Sequence, residues 1–280
     1  MMSMPKRVTA LLLACHPGPT AVVTTVAILL GITLGYPPAR LVLLAAAVVA
    51  GQLSIGWSND WIDGARDTAV HRTDKPVASG AVSAATVRAA AFAAAAAAVV
   101  LSVLLGPLAA VANLLGTAAG WAYNLGLKST VLSVLPYVVC FGLLPAVATL
   151  GQQQPAYAAP WVIIVGALLG VAAHFTNVLP DLEDDRRTGV RGLPHLLGRA
   201  TSGVLAFAAL AAAGILLGLS PGLPPGPIGW VGMITALAIA VWGIVLIAHA
   251  RTSRMLMRLV MAGALVDVAM LVLSGQSLTV

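Results

Sequence analysis

Long apolar runs, broken by short polar stretches rich in proline and glycine, set the pattern of this chain. A bilayer core takes about 20 apolar residues as helix. At that length nine runs qualify, at about 18–35, 40–58, 83–105, 107–125, 130–149, 159–178, 201–219, 228–248 and 257–275. Breakers at Tyr36-Pro37-Pro38, Gly106-Pro107, Gln152 to Pro155 and Ser220 to Pro227 separate them. The alanine run Ala93 to Ala98 reads as helix packed closely through small residues. The pattern predicts an all-α integral membrane protein, a single membrane-embedded domain over residues 1–280 with nine transmembrane helices around a central cavity.

Composition narrows the class. Of 280 residues, 60% are hydrophobic and 9% charged, and the mean hydropathy is +0.98. A soluble domain is roughly a quarter charged, and disorder requires low hydrophobicity, so both are excluded. Lys6, Arg7, Arg66, Arg72, Lys75, Arg88, Lys128, Arg186, Arg187, Arg191, Arg199, Arg251, Arg254 and Arg258 fall on alternate connections, while Arg40 alone falls on the other side. The positive-inside rule then predicts a cytoplasmic N-terminus and a C-terminus outside. The net charge of +6 is therefore assigned to membrane topology, and no nucleic acid is expected. The stretch Ala10 to Cys15 after Lys6 and Arg7 resembles a signal peptide. His16-Pro17-Gly18-Pro19 interrupts it, so it reads as the lead-in to the first span. Cys15 and Cys140 have no metal-type spacing and read as small buried hydrophobes. No protein partner is identifiable.

Acidic residues are the scarce ones. There are nine, and eight lie in two stretches: Asp60, Asp63, Asp67 and Asp74, then Asp181, Glu183, Asp184 and Asp185. The topology puts both on the cytoplasmic side, in motif loops at about 59–82 and 180–200. If the second span continues as helix, Asp60, Asp63 and Asp67 share one face, with Asn59 at its margin. Pro180 is suited to opening a new helix, on which Asp181, Asp184 and Asp185 share a face and Glu183 points away. Oxygen-only ligands favour a hard cation such as Mg²⁺. Arg66, Arg72, Lys75, Lys128, Arg186, Arg187 and Arg191 surround the acids. Carboxylates and cations together suit a diphosphate bridged by a divalent metal.

At these residues the sequence resembles the UbiA superfamily of intramembrane prenyltransferases. Asn59-Asp60-x-x-Asp63-x-x-x-Asp67 matches the first motif of that family, and Arg72-Thr73-Asp74-Lys75-Pro76-Val77 to Gly80 its continuation. Asp181-Leu182-Glu183-Asp184-Asp185, then Gly189 and Leu193-Pro194, resembles the second, and Tyr123 and Lys128 the short pattern between them. The resemblance implies that Mg²⁺ holds an isoprenyl diphosphate, whose ionisation gives an allylic cation for a lipophilic acceptor, aromatic or quinone-precursor-like, in the central cavity. By position it implies Asp60, Asp63, Asp67, Asp181 and Asp185 as catalytic metal-site residues, joined by Asn59. Asp184 is added on helical geometry. Arg66, Arg72, Lys75, Tyr123, Lys128 and Arg191 would serve the diphosphate. Pro180 stands where the family often has Lys, which throws more of that task onto Arg66, Arg186 or Arg191.

Asp267, within the last span, is a cavity candidate, as intramembrane acids generally are. His174 and Asn177 are cavity candidates before the second motif. His195 is expected in a solvated loop, and Trp57, Trp61 and Trp121 in an interfacial belt. The same motifs would also suit a terpene cyclase acting on a prenyl diphosphate alone, or transfer of another diphosphate-linked group. A cation or phosphate transporter would place its acids near the midplane, where only Asp267 lies.

Overall fold

The computed structural model describes residues 4–219, 226–249, 254–274 and 277–280. Most of the Ser220 to Pro227 breaker, and Arg251 from the charge pattern, lie outside them. The described chain is helical: α1 (Met4–Ala14), α2 (Pro17–Thr33), α3 (Pro38–Ala69), α4 (Ala84–Leu105), α5 (Pro107–Leu125), α6 (Leu135–Leu150), α7 (Pro160–Val178), α8 (Leu182–Arg187), α9 (Leu193–Gly218), α10 (Pro227–Ala248) and α11 (Arg254–Ser274). Short 3₁₀ turns cover Leu127–Ser129 and Leu179–Asp181. The prolines that break the apolar runs open the next helix. Pro17, Pro38, Pro107, Pro160 and Pro227 are each the first residue of one, where the missing N–H costs nothing. Only Gly106 separates α4 from α5, at φ 144°, a conformation that excludes a side chain.

By length and apolar content, α3, α4, α7 with its extension to Arg187, α9, α10 and α11 are able to cross a bilayer. A seventh crossing results if α1 and α2, bent by 61°, form one. Helix α6 is shorter, at 16 residues, and α5, which carries Asn113, Thr117, Tyr123 and Asn124, is not among them. These criteria therefore give two or three crossings fewer than the nine expected.

Packing places the helices around a common centre. α2 contacts α3, α3 contacts α5, α5 contacts α6, α6 contacts α7, α7 contacts α11, and α11 returns to α2. α4 packs outside on α3 and α5, and α9 and α10 outside on the α7–α11 side. Small residues allow the close approaches. A Cβ at Gly166 or Gly170 would meet the α6 backbone at Phe141 or Tyr137. The alanine run behaves this way on one face only: Ala91, Ala94 and Ala98 are buried, whereas Ala93, Ala96 and Ala97 are exposed.

Candidate active site

The last turns of α3 carry the first acidic motif. Helix continues through Ala69, so Asp60, Asp63 and Asp67 fall on one inward face, and all three are buried. One turn earlier is Gly56, where a Cβ would collide with the Cys15 carbonyl. That contact seats the α1–α2 break against α3. At the break His16 adopts a left-handed backbone, φ 56° and ψ 66°, a conformation that costs energy for a residue with a side chain and tends to occur at functional sites. Its Nε2 lies 3.1 Å from Lys75 Nζ.

Basic side chains from four segments meet the acids of the two motifs. Lys75 Nζ donates to Asn59 Oδ1 at 3.3 Å and lies 3.7 Å from Asp60 Oδ1. Lys128, in the turn after α5, pairs with Asp63, and Arg66 lies 2.9 Å from Asp63 and 3.7 Å from Asp67. Burial lowers the Lys128 pKa, against the opposing pull of Asp63. Arg72 joins the two motifs. It forks onto Asp74 at 2.9 and 3.1 Å and reaches Asp181 at 3.3 Å. Arg254 at the start of α11 binds the same Asp74 at 2.5 Å. Hydrogen bonds from Arg72, then from Arg254, hold the Asp74 carboxyl well below the usual carboxylate range.

The second motif splits as helical geometry predicted for Glu183, which is exposed and pairs with Arg187 at 3.5 Å. The turn containing Pro180 is 3₁₀, and α8 begins after it, at Leu182. Asp181 and Asp185 line a charged pocket of about 90 Å³ with Asn59, Asp63, Lys75 and Lys128. Asp60, Asp67, Arg72, Asp184 and Arg191 do not line it; Asp60 and Asp67 are buried behind it and Arg191 is exposed. The expectation of a solvated His195 is wrong: its side chain is 3% exposed. Nδ1 accepts from Gly192 N at 3.1 Å, which directs Nε2 to 3.5 Å from Asp185.

Beneath the charged pocket is a cavity of about 160 Å³ whose wall combines apolar surface from Val23, Ile55, Phe141, Met257, Cys15 and Cys140 with polar groups such as Thr20, Gln52 and Tyr137. The two spaces share His16, Asn59, Tyr123 and Asn177. Asn177 thus faces the cavity as expected and donates to Tyr137 Oη at 3.1 Å. His174 does not line it. It is fully buried beside Tyr123 and Tyr137, with Nε2 3.1 Å from Ser133 Oγ. Trp61 and Trp121 flank Phe92 on the outer side. Two contributors escaped the sequence reading. His16 was read only as part of a break. Asn124, next to Tyr123, is locked by bonds to Ile55 O and Ser58 Oγ and accepts from Asn59 Nδ2 at 3.1 Å.

Among the described residues no three His, Cys, Asp or Glu side chains stand ready-grouped around a metal position. The carboxylates face cations instead. Even so, Asp60 Oδ1 and Asp67 Oδ2 are buried with no hydrogen-bond donor, an arrangement that leaves lone pairs for a hard ion.

Comparison with known proteins bears on this arrangement. The chain is 30% identical over 216 residues to the bacteriochlorophyll synthase 33 kDa chain of Cereibacter sphaeroides, covering 70% of this chain and 68% of that one. It is 30% identical to digeranylgeranylglyceryl phosphate synthase of Methanopyrus kandleri, over 70% of each chain. It is 27% identical to 4-hydroxybenzoate octaprenyltransferase of Aromatoleum aromaticum, over 85% and 83%. The fold superposes on a UbiA homologue from Archaeoglobus fulgidus, solved with GPP and Mg²⁺, with a TM-score of 0.72 at 14% identity, over 95% of this chain and 99% of that one. Residues 20–265 match the UbiA prenyltransferase family, and the chain therefore belongs to it, as a multi-pass membrane enzyme of the prenyltransferase class.

Proposed function

We propose that the protein catalyses Mg²⁺-dependent transfer of an isoprenyl group from a prenyl diphosphate to a lipophilic, aromatic or quinone-precursor acceptor. The observation that carries this reading is the junction of a charged pocket with an apolar cavity through His16, Asn59, Tyr123 and Asn177. A molecule with diphosphate at one end and hydrocarbon at the other matches both spaces at once. Burial of the tail contributes about 0.8 kcal/mol per CH₂.

The all-oxygen donor set of Asn59, Asp60, Asp63, Asp67, Asp181 and Asp185, with buried Asp60 Oδ1 and Asp67 Oδ2 accepting no hydrogen bond, fits Mg²⁺. When bound, the ion supplies Lewis-acid stabilisation of charge on the leaving group. Lys75, Lys128 and Arg66, which line the charged pocket, bind the diphosphate oxygens and offset the negative charge that grows as the C1–O bond breaks, while Arg72 holds Asp181 at the pocket edge. Asn124 and Lys75 fix the Asn59 amide. The ring of Tyr123, held edge-on by Tyr137 and His174 at 5.3 and 5.9 Å, presents aromatic surface to the allylic cation. The apolar walls keep water away until the acceptor attacks.

In the membrane this reading takes nine crossings, with the N-terminus and charged pocket cytoplasmic and the C-terminus outside. It is supported by the single Arg40 on the opposite side and by the meeting of both acidic motifs at one end, through Arg72 and Asp181. The test is purified protein in lipid nanodiscs with Mg²⁺, labelled geranyl, farnesyl and geranylgeranyl diphosphates, and aromatic acceptors. Prenylated acceptor and released diphosphate are expected. Release from no donor overturns the reading, and a hydrocarbon formed from donor alone replaces transfer by cyclisation.

A further inference from the structure

Asp267 is the one acid outside the two motif stretches. It lies ten residues along α11 from Met257, which lines the central cavity, so the helical rise separates the two by about 15 Å. Asp267 is fully buried, and neither carboxyl oxygen has a hydrogen-bond partner among the described residues. It lines a second cavity of about 50 Å³ between α2, α6, α7, α9 and α11. The rest of that lining is apolar and includes Val26, Leu30, Val165, Leu169 and Val268. Val23 and Phe141 line both this cavity and the central one. On the α9 side stands Gly214, where a Cβ would lie 3.4 Å from Asp267 Oδ1 and collide with Ala236. That wall is close and brings no polar side chain.

We propose that this cavity is a subsite for the hydroxyl end of a lipid alcohol, with Asp267 as its hydrogen-bonding partner. An acid in the middle of a spanning helix is costly to insert, and an unmatched buried polar group forfeits its hydrogen bonds as well. The described residues supply no match, so a ligand does. A hydroxyl both donates and accepts, and so complements a carboxyl group in either role. A cationic ligand would shed its hydration among aliphatic side chains, which favours a neutral one. The cavity admits a few heavy atoms, and its walls of branched aliphatic groups suit the methyl-branched end of an isoprenoid reaching past Val23 and Phe141. Only that isoprenoid character rests on the prenyl-transfer reading; the hydroxyl does not.

The experiment measures binding of farnesol and of farnesene, the matching hydrocarbon without oxygen, by ligand-induced shifts in the melting of the detergent-solubilised protein. Wild type is expected to bind farnesol about tenfold more tightly than farnesene, the contribution of one net hydrogen bond. Asp267→Asn, whose amide donates and accepts, retains most of that preference. Asp267→Leu, similar in shape and without hydrogen-bonding atoms, loses it, and its melting without ligand reports whether it folds. Equal affinity of wild type for the two compounds, or unchanged farnesol affinity in Asp267→Leu, overturns the proposal. Because these measurements need no turnover, a protein inactive with every diphosphate donor sinks the prenyl-transfer reading and leaves this one standing.

Discussion

Replacing Lys128 by Met tests the electrostatics of the charged pocket most directly. Met keeps the apolar stem and deletes the ammonium. In the structure that ammonium is 10% exposed, pairs with Asp63 at 7% exposure, and lines the pocket assigned to the diphosphate. Removing one partner of a buried pair can cost about 3–5 kcal/mol of stability. Here Asp63 Oδ2 keeps Arg66 at 2.9 Å, so the expected loss is well below that range and the protein folds. Catalysis suffers more. Losing one donor aimed at charge that develops in the transition state lowers kcat by about 10²–10³. The Mg²⁺ requirement should move the other way. Lys128 occupies an oxygen of a proposed metal ligand, so its loss removes a competing positive charge, and the Mg²⁺ concentration for half-maximal rate falls. The assay is initial rate of diphosphate release at saturating donor, across a Mg²⁺ titration, for wild type and Lys128→Met. A kcat within about threefold of wild type, or a raised Mg²⁺ requirement, refutes the reasoning.

Other predictions follow from neighbouring contacts. Gly56→Ala forces a Cβ into the Cys15 backbone; overpacking of this kind costs about 1–3 kcal/mol, and displacement of His16 should also raise the donor KM, read by melting and by donor titration. Glu183→Gln breaks an exposed pair, worth at most about 1 kcal/mol, and turnover should stay within about twofold. Asp74→Asn severs the link between Arg72 and Arg254. Because the Asp74 pKa is depressed on folding, its stabilisation is fully present above the unfolded value of about 3.9 and fades as pH falls through the folded one. Melting curves of wild type and Asp74→Asn should therefore stay separated from pH 7 down to about pH 4 and converge below it. With Asp74 38% exposed, the separation is modest and shrinks with added salt.

The first motif was readable in sequence because α3 is one uninterrupted helix through Ala69, so residue spacing translates directly into a shared face. Glu183 was readable for the same reason. What escaped depends on contacts between distant segments. His16 enters the pocket because Gly56, forty residues later, lets the α1–α2 break rest on α3. His195 was read as a loop residue after Leu193-Pro194, but Pro194 falls in the first turn of α9, which turns His195 inward to accept from Gly192 N and face Asp185. The span count differed for three local reasons: α5 spends polar residues such as Asn113, Tyr123 and Asn124 on its neighbours and the cavity, which dilutes its apolar signal, α6 is only 16 residues long, and α2 qualifies only together with the bent α1.

Arg40 gives the bundle a fixed end. Its guanidinium donates to Gly151 O at 2.5 Å, Leu105 O at 2.6 Å and Gln152 O at 3.2 Å, and Tyr36 Oη donates to Ala148 O at 2.5 Å. The start of α3 is thereby bolted to the ends of α4 and α6. From Arg40 to Asp67 the same helix runs 27 residues, about 40 Å at 1.5 Å per residue. The first acidic motif therefore rides on a mast whose foot cannot shift without breaking four bonds. The second motif has no such footing of its own: Asp181 and Asp185 come from a short 3₁₀ turn and the six-residue α8. The charged pocket thus joins one side carried by a long anchored helix to another carried by a short local turn.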